Sequence, residues 1–294
     1  MMDAGLLAEV DLAVSHIIDE DYKTESISSL GGGSINEAMR ICSEKNCFFI
    51  KLNQASLIDM FEAEFDGLHE IDSSGTIRVP KPMCYGVAGG RSYIVMEFIQ
   101  LTSGKRRSSV HLGEQLASMH RCSTENFGWR RDNTIGSTPQ DNTMTNNWVD
   151  FYGQCRLQPQ LQLADRNGYG GELQRLGENL LATLDTFFES YQPMPSLLHG
   201  DLWSGNYAFS SSGEPVIFDP ATYYGDRECD IAMTELFGGF SADFYNSYNE
   251  FYPLDEGYAR RKDLYNLYHV LNHVNLFGGG YHSQAISLMR NLLH

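Results

Sequence analysis

The sequence predicts an α+β chain of two lobes: a smaller, sheet-rich lobe over 1–99 and a larger, mostly helical lobe over 100–294. Three observations predict it. A strand-like apolar run, Cys47–Leu52, and a hairpin pattern around Ala88-Gly89-Gly90 both fall in the first hundred residues. After a polar stretch, Thr102–Ser109, apolar residues recur at helical spacing through most of the chain. Only 197–219 breaks that spacing, with short strand-like runs interrupted by Ser210–Gly213.

In order, Leu6, Leu7, Val10, Val14, Ile17 and Ile18 mark an opening amphipathic helix. Leu30-Gly31-Gly32-Gly33-Ser34 is a glycine turn before the Cys47–Leu52 strand. Ser56-Leu57-Ile58-Asp59 fits a variant capping box opening a second helix with apolar Leu57, Met60, Phe61, Phe65, Leu68 and Ile71. Val79-Pro80-Lys81-Pro82 ends it, and Tyr85–Val87 with Arg91–Ile99 form the hairpin. Thr102–Ser109 reads as the interlobe linker. Helical segments are expected over 110–121, 144–164, 171–190, 228–237, 256–276 and 283–293.

The 294 residues carry 21 basic and 38 acidic side chains, a formal charge of −17. That balance argues against nucleic-acid or anionic-membrane partners, which need a positive footprint. It suits a small neutral or cationic substrate. No apolar run is long enough to span a bilayer, and the acidic N-terminus lacks a basic signal-like region, so a cytoplasmic location is expected. The six cysteines, Cys42, Cys47, Cys84, Cys122, Cys155 and Cys229, show no CxxC spacing. They read as reduced thiols rather than a disulfide framework or zinc site.

The sharpest local signal is His199-Gly200-Asp201-Leu202-Trp203-Ser204-Gly205-Asn206, followed by Val216-Ile217-Phe218-Asp219-Pro220. A carboxylate and an amide on one tight loop, converging with a carboxylate at a strand end, suit a hard cation such as Mg²⁺ that leaves positions for phosphate. The remaining carboxylate can accept a proton from an attacking hydroxyl. Asp201 is thereby the candidate base, and Asn206 and Asp219 are the candidate metal ligands. The order resembles the catalytic loop and metal-binding Asp of the protein-kinase-like superfamily, in its small-molecule branch.

The other half of such machinery stands upstream. Lys51 lies on the strand face opposite Phe48, Ile50 and Leu52, and a cation in that setting needs an anionic partner. Glu64 supplies one. At ~100° per residue it sits in the middle of its helix's apolar stripe, whereas Glu62 points elsewhere. The economical account is a Lys51–Glu64 pair that holds the ammonium against the phosphates of ATP. Gly31, Gly32, Gly33 and Ser34 are positioned to cover those phosphates with backbone N–H groups. Glu97, Phe98 and Ile99 end the last strand of the smaller lobe, where a kinase hinge offers its backbone to adenine.

At larger scale the chain resembles the fructosamine-3-kinase (ketosamine-3-kinase) family. The likeness is carried by Leu198–Asn206, Phe218–Ala221, Tyr224–Met233 and Phe237–Phe240. Trp148–Tyr152 with Arg156-Leu157-Gln158 and Gln160-Leu161, then Leu271–His273 and Leu276–Gly279, match as well. It runs from about Gly31 to the C-terminus. The resemblance implies ATP-dependent phosphorylation of the C3 hydroxyl of ketosamines, free or protein-bound, giving an unstable 3-phosphate that releases the amine. Some members carry a Cys in the glycine loop that permits a redox-linked dimer. Ser34 stands there instead, so that switching is not expected.

Other residues take supporting roles. His199 is expected to brace the loop, and the kinase-like resemblance implies that Asp230 does so through backbone N–H groups. Trp203 either stacks on the acceptor or wedges into the helical lobe. Arg227 and Glu228 line the acceptor pocket or pair at the surface. Trp148, Arg156 and His120 read as packing residues. Two alternatives stay open: an aminoglycoside- or choline-type kinase of the same fold, and a non-catalytic binding module. The second would ordinarily lose one of Lys51, Asp201, Asn206 or Asp219.

Overall fold

The computed structural model describes residues 2–31 and 36–294. Helix α1 (Ala4–Ile18) starts where the Asp3 carboxylate accepts the Leu6 N–H at 2.8 Å. Strands β1 (Ser26–Leu30), β2 (Glu37–Cys42), β3 (Cys47–Gln54), β4 (Pro82–Ala88) and β5 (Arg91–Glu97) form one antiparallel sheet in the order β1-β2-β3-β5-β4. Helix α2 (Ile58–Ser73) lies between β3 and β4 in the chain.

Strand alternation sorts side chains to the two faces of this sheet. Phe48, Ile50, Leu52, Tyr93 and Val95 join Leu6, Val10 and Val14 of α1 in one core. Ile94 and Met96 point the other way, into a second core with Phe61, Leu68 and Ile71 of α2. The same core continues into Leu112, Leu116 and Met119 of α3 (Arg106–Met119). Lys51 is thus on the α2 face because β3 alternates, and it is buried there.

The remaining chain is mostly helical. Strand β6 (Leu101–Thr102) leads to α3, and the hairpin β7 (Asn133–Ile135) and β8 (Thr138–Gln140) follows. Next come α4 (Trp148–Tyr152), a π-turn over Gly153–Leu157, α5 (Gln158–Arg166) and α6 (Glu172–Ala182). Strands β9 (Ser196–Leu198), β10 (Tyr207–Ser210), β11 (Pro215–Ile217) and β12 (Tyr223–Gly225) precede α7 (Glu228–Leu236). The chain closes with α8 (Ala242–Phe251), α9 (Tyr258–Phe277) and α10 (Gly280–Leu292). A third core, around Trp148, Phe151, Leu176, Leu264 and Leu271, holds these helices together. Among the described residues no helix is long and apolar enough to cross a membrane.

Four expectations change. The expected linker Thr102–Ser109 is partly ordered structure: Thr102 pairs with Phe209 of β10, and α3 begins at Arg106. Polar composition hid a strand whose partner is over a hundred residues away. The Ser56 capping box does not form, because Ala55–Leu57 make a 3₁₀ turn and α2 has no side-chain cap. Helix α8 was not expected. Its Asn- and Ser-rich sequence has weak helix propensity, and Ser241 caps it while Phe244 and Tyr248 bury one face.

The fourth change concerns cysteine. Cys42 and Cys47 form a disulfide, contrary to the expectation of six reduced thiols. Their spacing is silent until the β2–β3 register places them opposite each other across the Ser43–Asn46 turn. Cys84, Cys122, Cys155 and Cys229 are free. Substituting Cys42→Ser is expected to lower stability by up to ~2 kcal/mol, the loop-entropy value for so short a closure. Urea unfolding with and without dithiothreitol checks it, and reduction should leave the variant unchanged.

Candidate active site

The site is assembled from β3, α2, the β9–β10 loop and the turn after β11. Lys51 donates from Nζ to Glu64 Oε1 at 2.5 Å and to Asp219 Oδ1 at 2.6 Å. Burial alone would lower the ammonium's pKa. The charges of Asp219 and Glu64 outweigh burial, so Lys51 is raised and stays cationic. Glu64 is also buried, whereas Asp219 is exposed to solvent. Residues from positions 51, 64 and 219 therefore meet at one amine.

The loop after β9 is held from beneath. Asp230, near the start of α7, accepts the His199 N–H at 2.7 Å and the Gly200 N–H at 2.8 Å. His120 approaches the same carboxylate at 3.1 Å through Nε2. A carboxylate only accepts, so Nε2 carries the proton, and Nδ1 accepts from Tyr248 Oη at 2.8 Å. Burial would raise Asp230, but the hydrogen bonds it accepts, from His120 first and from the Gly200 N–H as well, outweigh it and hold the carboxyl below its ordinary value.

His199 is a neutral strut. Its Nδ1 accepts the Asp201 N–H at 3.2 Å, which leaves Nε2–H to donate to the Phe218 carbonyl at 2.9 Å. Burial lowers its pKa, in keeping with that tautomer. Gly200 has φ +83, and a Cβ there would stand 2.1 Å from the Ala221 carbonyl oxygen. Only glycine fits where the two chain segments cross.

Asp201 sits half-buried on this loop. Asn206 Nδ2 donates to the Asp201 carbonyl at 2.8 Å and to Oδ2 at 3.1 Å. The Phe218 N–H to the Asn206 carbonyl, at 3.0 Å, ties the loop to the Asp219 turn. Burial, then the charge of Asp219, push the Asp201 carboxyl up to about 7. Asp219 itself adopts φ 59, a left-handed conformation uncommon for a residue with a side chain.

The donor set fits a hard divalent cation. Asn206 spends its nitrogen on Asp201 and has its amide oxygen left over, and the exposed Asp219 carboxylate is nearby in the fold. Among the described residues no cluster of three or more His, Cys, Asp or Glu forms a metal cage. A magnesium site completed by phosphate oxygens needs none.

Other expected residues are placed less centrally. Glu97 accepts from Arg78 Nη2 at 2.6 Å, and Arg78 Nη1 reaches Glu214 at 2.8 Å, so the carboxylate is engaged in a bridge. The Phe98 ring lies under Arg40, and no loop hydrogen bond occupies the Phe98 or Ile99 main chain among the described residues. Gly31 is open to solvent, and Gly32, Gly33 and Ser34 lie outside the described residues. Trp203 is 38% exposed, covers Gly205 and meets Phe237 edge-on.

Arg227 and Glu228 do not open onto a pocket. The Arg227 guanidinium stacks 3.6 Å from the Tyr252 ring centroid and donates to the Tyr252 and Pro253 carbonyls. Glu228 is fully buried and accepts from Arg261 Nε at 2.7 Å and Nη2 at 3.0 Å. Their neighbourhood to Asp230 in sequence suggested a site role, but helix α7 turns them into its own packing. Arg156, expected as packing, stacks on Tyr223 at 4.0 Å in the core. Residues missed from sequence are Arg130 and Arg131, which contact α2 from a distant loop.

The chain is similar to known proteins over nearly its whole length. The fructosamine kinase family model matches residues 7–294. A chloroplastic protein-ribulosamine 3-kinase of Arabidopsis thaliana is 46% identical over 94% of this chain and 86% of its own. A crystal structure of a candidate fructosamine-3-kinase from Haemophilus somnus superposes with TM-score 0.89 at 31% identity, covering 97% of each chain. A choline kinase of Streptococcus pneumoniae shares the fold alone, with TM-score 0.64 at 14% identity over 97% and 98% of the chains.

The raised Asp201 carboxyl has a stability consequence. Between the unfolded value of 3.8 and about 7 the folded state binds the extra proton, so stability falls as pH rises through that window. In the metal-free protein Asp201→Asn is therefore expected to raise Tm at pH 8, with the difference closing below pH 4. Thermal unfolding across pH checks it; equal melting at pH 8 contradicts the assigned environment.

Proposed function

The chain belongs to the fructosamine kinase family, and on that premise we propose that it transfers the γ-phosphoryl group of ATP to the C3 hydroxyl of a ketosamine. The observation that carries this reading is the meeting of Lys51, Glu64 and Asp219 beside the Asp201–Asn206 loop. Five groups with those chemistries, brought from distant stretches, are what positioning and charge neutralisation of a triphosphate require.

In this mechanism Asp201 orients the C3 hydroxyl and accepts its proton. A carboxyl near neutrality is well matched to that exchange. The sugar oxygen forms its bond to the γ-phosphorus as the bond to the bridging oxygen breaks, and ADP leaves. Lys51, locked by Glu64, neutralises charge on the α- and β-phosphates. Asn206 and Asp219 would hold Mg²⁺, which supplies charge neutralisation on the transferring phosphates. The glycine loop, Gly31–Ser34, would cover the phosphates, and the Glu97–Ile99 backbone would take the adenine. Trp203, exposed two residues from Asp201, is assigned to the acceptor. The acceptor is a ketosamine, free or on a glycated protein; the 3-phosphate then decomposes and releases the amine.

The test is phosphate transfer to ribulose-lysine or fructose-lysine with ATP and Mg²⁺. Asp201→Asn should lower kcat about 10²–10⁴-fold, the usual worth of a general base. Lys51→Met should also abolish most transfer. Undiminished transfer in Asp201→Asn overturns the role of Asp201, and turnover of aminoglycosides without ketosamines overturns the substrate class.

A further inference from the structure

Helix α2 carries a second set of carboxylates that phosphoryl transfer does not use. Glu62, Asp66 and Glu70 recur every fourth residue, one row along the helix. Each is tied to the larger, C-terminal part of the chain. Arg131 donates from Nη1 to Asp66 Oδ2 at 2.8 Å and from Nη2 to Glu62 Oε2 at 3.3 Å. Arg130 Nη2 lies 2.9 Å from Asp66 Oδ1. Tyr224 Oη donates to Glu70 Oε1 at 2.8 Å. Beside this row Gly67 packs against side chains just beyond Asp219: a Cβ there would stand 2.9 Å from Thr222 Oγ1 and 3.6 Å from Pro220 Cγ.

The segment that presents Arg131 is itself bonded to that stretch. Asn142 Nδ2 donates to the Arg131 carbonyl at 3.1 Å and to Asn133 Oδ1 at 2.9 Å. Asn133 Nδ2 donates to the Thr222 carbonyl at 2.8 Å, and Gln140 Nε2 to the Ala221 carbonyl at 3.2 Å. The β7–β8 hairpin thus grips α2 with one side and residues 221–222 with the other. Glu64 rides on α2, and Asp219 precedes the gripped stretch. The brace thus adds a second tie between the two carboxylates that hold Lys51, beside the packing of α2 on the sheet.

We propose that Arg131 is a positioning residue: through the β7–β8 hairpin it sets the separation of Glu64 from Asp219 and so fixes the Lys51 amine. Its guanidinium suits the task, since one planar fork reaches two carboxylates at once, which a lysine does with a single point charge. If α2 is released, Glu64 draws away from the amine, and a buried ammonium loses one of its two counter-charges.

This inference rests on the kinase reading for its catalytic consequence, but its geometric core does not. The test therefore has two arms, both on the full chain with Arg131→Ala and Arg131→Lys. The first arm acylates surface amines with acetic anhydride at fixed pH and follows Lys51 by mass spectrometry. Acylation of Lys51 should be about tenfold faster in Arg131→Ala than in wild type, with Arg131→Lys between them. An unchanged Lys51 rate overturns the proposal, whatever the enzyme's activity. The second arm measures steady-state kinetics with ribulose-lysine. Arg131→Ala should raise KM for ATP and lower kcat while KM for the ketosamine stays within about twofold. Equal loss on both substrates, tracking a fallen Tm, also overturns it, because that is what general destabilisation produces. Absence of transfer by the wild type overturns the kinase reading alone, since the acylation arm still decides the brace.

Discussion

A lysine ammonium enclosed by two carboxylates is the constraint around which the rest is built. Removing a cation from water is costly, and the cost is recovered only if the counter-charges are close and held. Here they come from opposite sides: Glu64 from a helix packed under the N-terminal sheet, Asp219 from a turn of the C-terminal part. The sheet, the helix and the turn must agree in position before Lys51 is satisfied. The shared apolar core of β5, α2 and α3 provides that agreement, since it is one packed body crossing from the sheet to the helical region.

The loop after β9 follows a different principle. It contains little apolar material and is shaped by hydrogen bonds that converge on Asp230, with His120 and Tyr248 completing a buried chain. His199 then joins the loop to the strand end that presents Asp219. Because every member is satisfied, this polar network rigidifies where a partly satisfied one would be a weakness. It leaves Asp201 and Asn206 directed at each other, and their environment, not their own chemistry, lifts the Asp201 carboxyl towards neutrality.

That arrangement stores instability at the candidate site. Two carboxylates, Asp201 and Asp219, are near enough for one to raise the other, and Asp219 occupies a left-handed backbone conformation. Such features persist only when surrounding packing over-determines them. The surrounding packing is unusually polar in type: Arg227 on Tyr252, Glu228 with Arg261, and Arg156 on Tyr223 are buried pairs that seat α7 and its neighbours. Residues near the site in sequence thus divide between those that meet at Lys51 and the Asp201–Asn206 loop and those consumed in packing around it.

Much of the site was legible in the chain itself. Alternation along Cys47–Leu52 put Lys51 on its own face, and the 3.6-residue period put Glu64 in an apolar stripe. Both inferences need only neighbours a few residues away. The Asp201–Asn206 spacing on a loop was equally local. What local periodicity cannot carry is pairing between distant segments. The Cys42–Cys47 bond depends on hairpin register, β6 on a partner at Phe209, and the burial of Arg227 and Glu228 on how α7 rotates against α9. The grip of Arg131 on α2 spans 65 residues and leaves no periodic trace at its own end. Chemistry-bearing residues were written in the sequence by type and spacing; which of them meet, and which are consumed by packing, was decided by long-range contacts that exist only once the chain is folded.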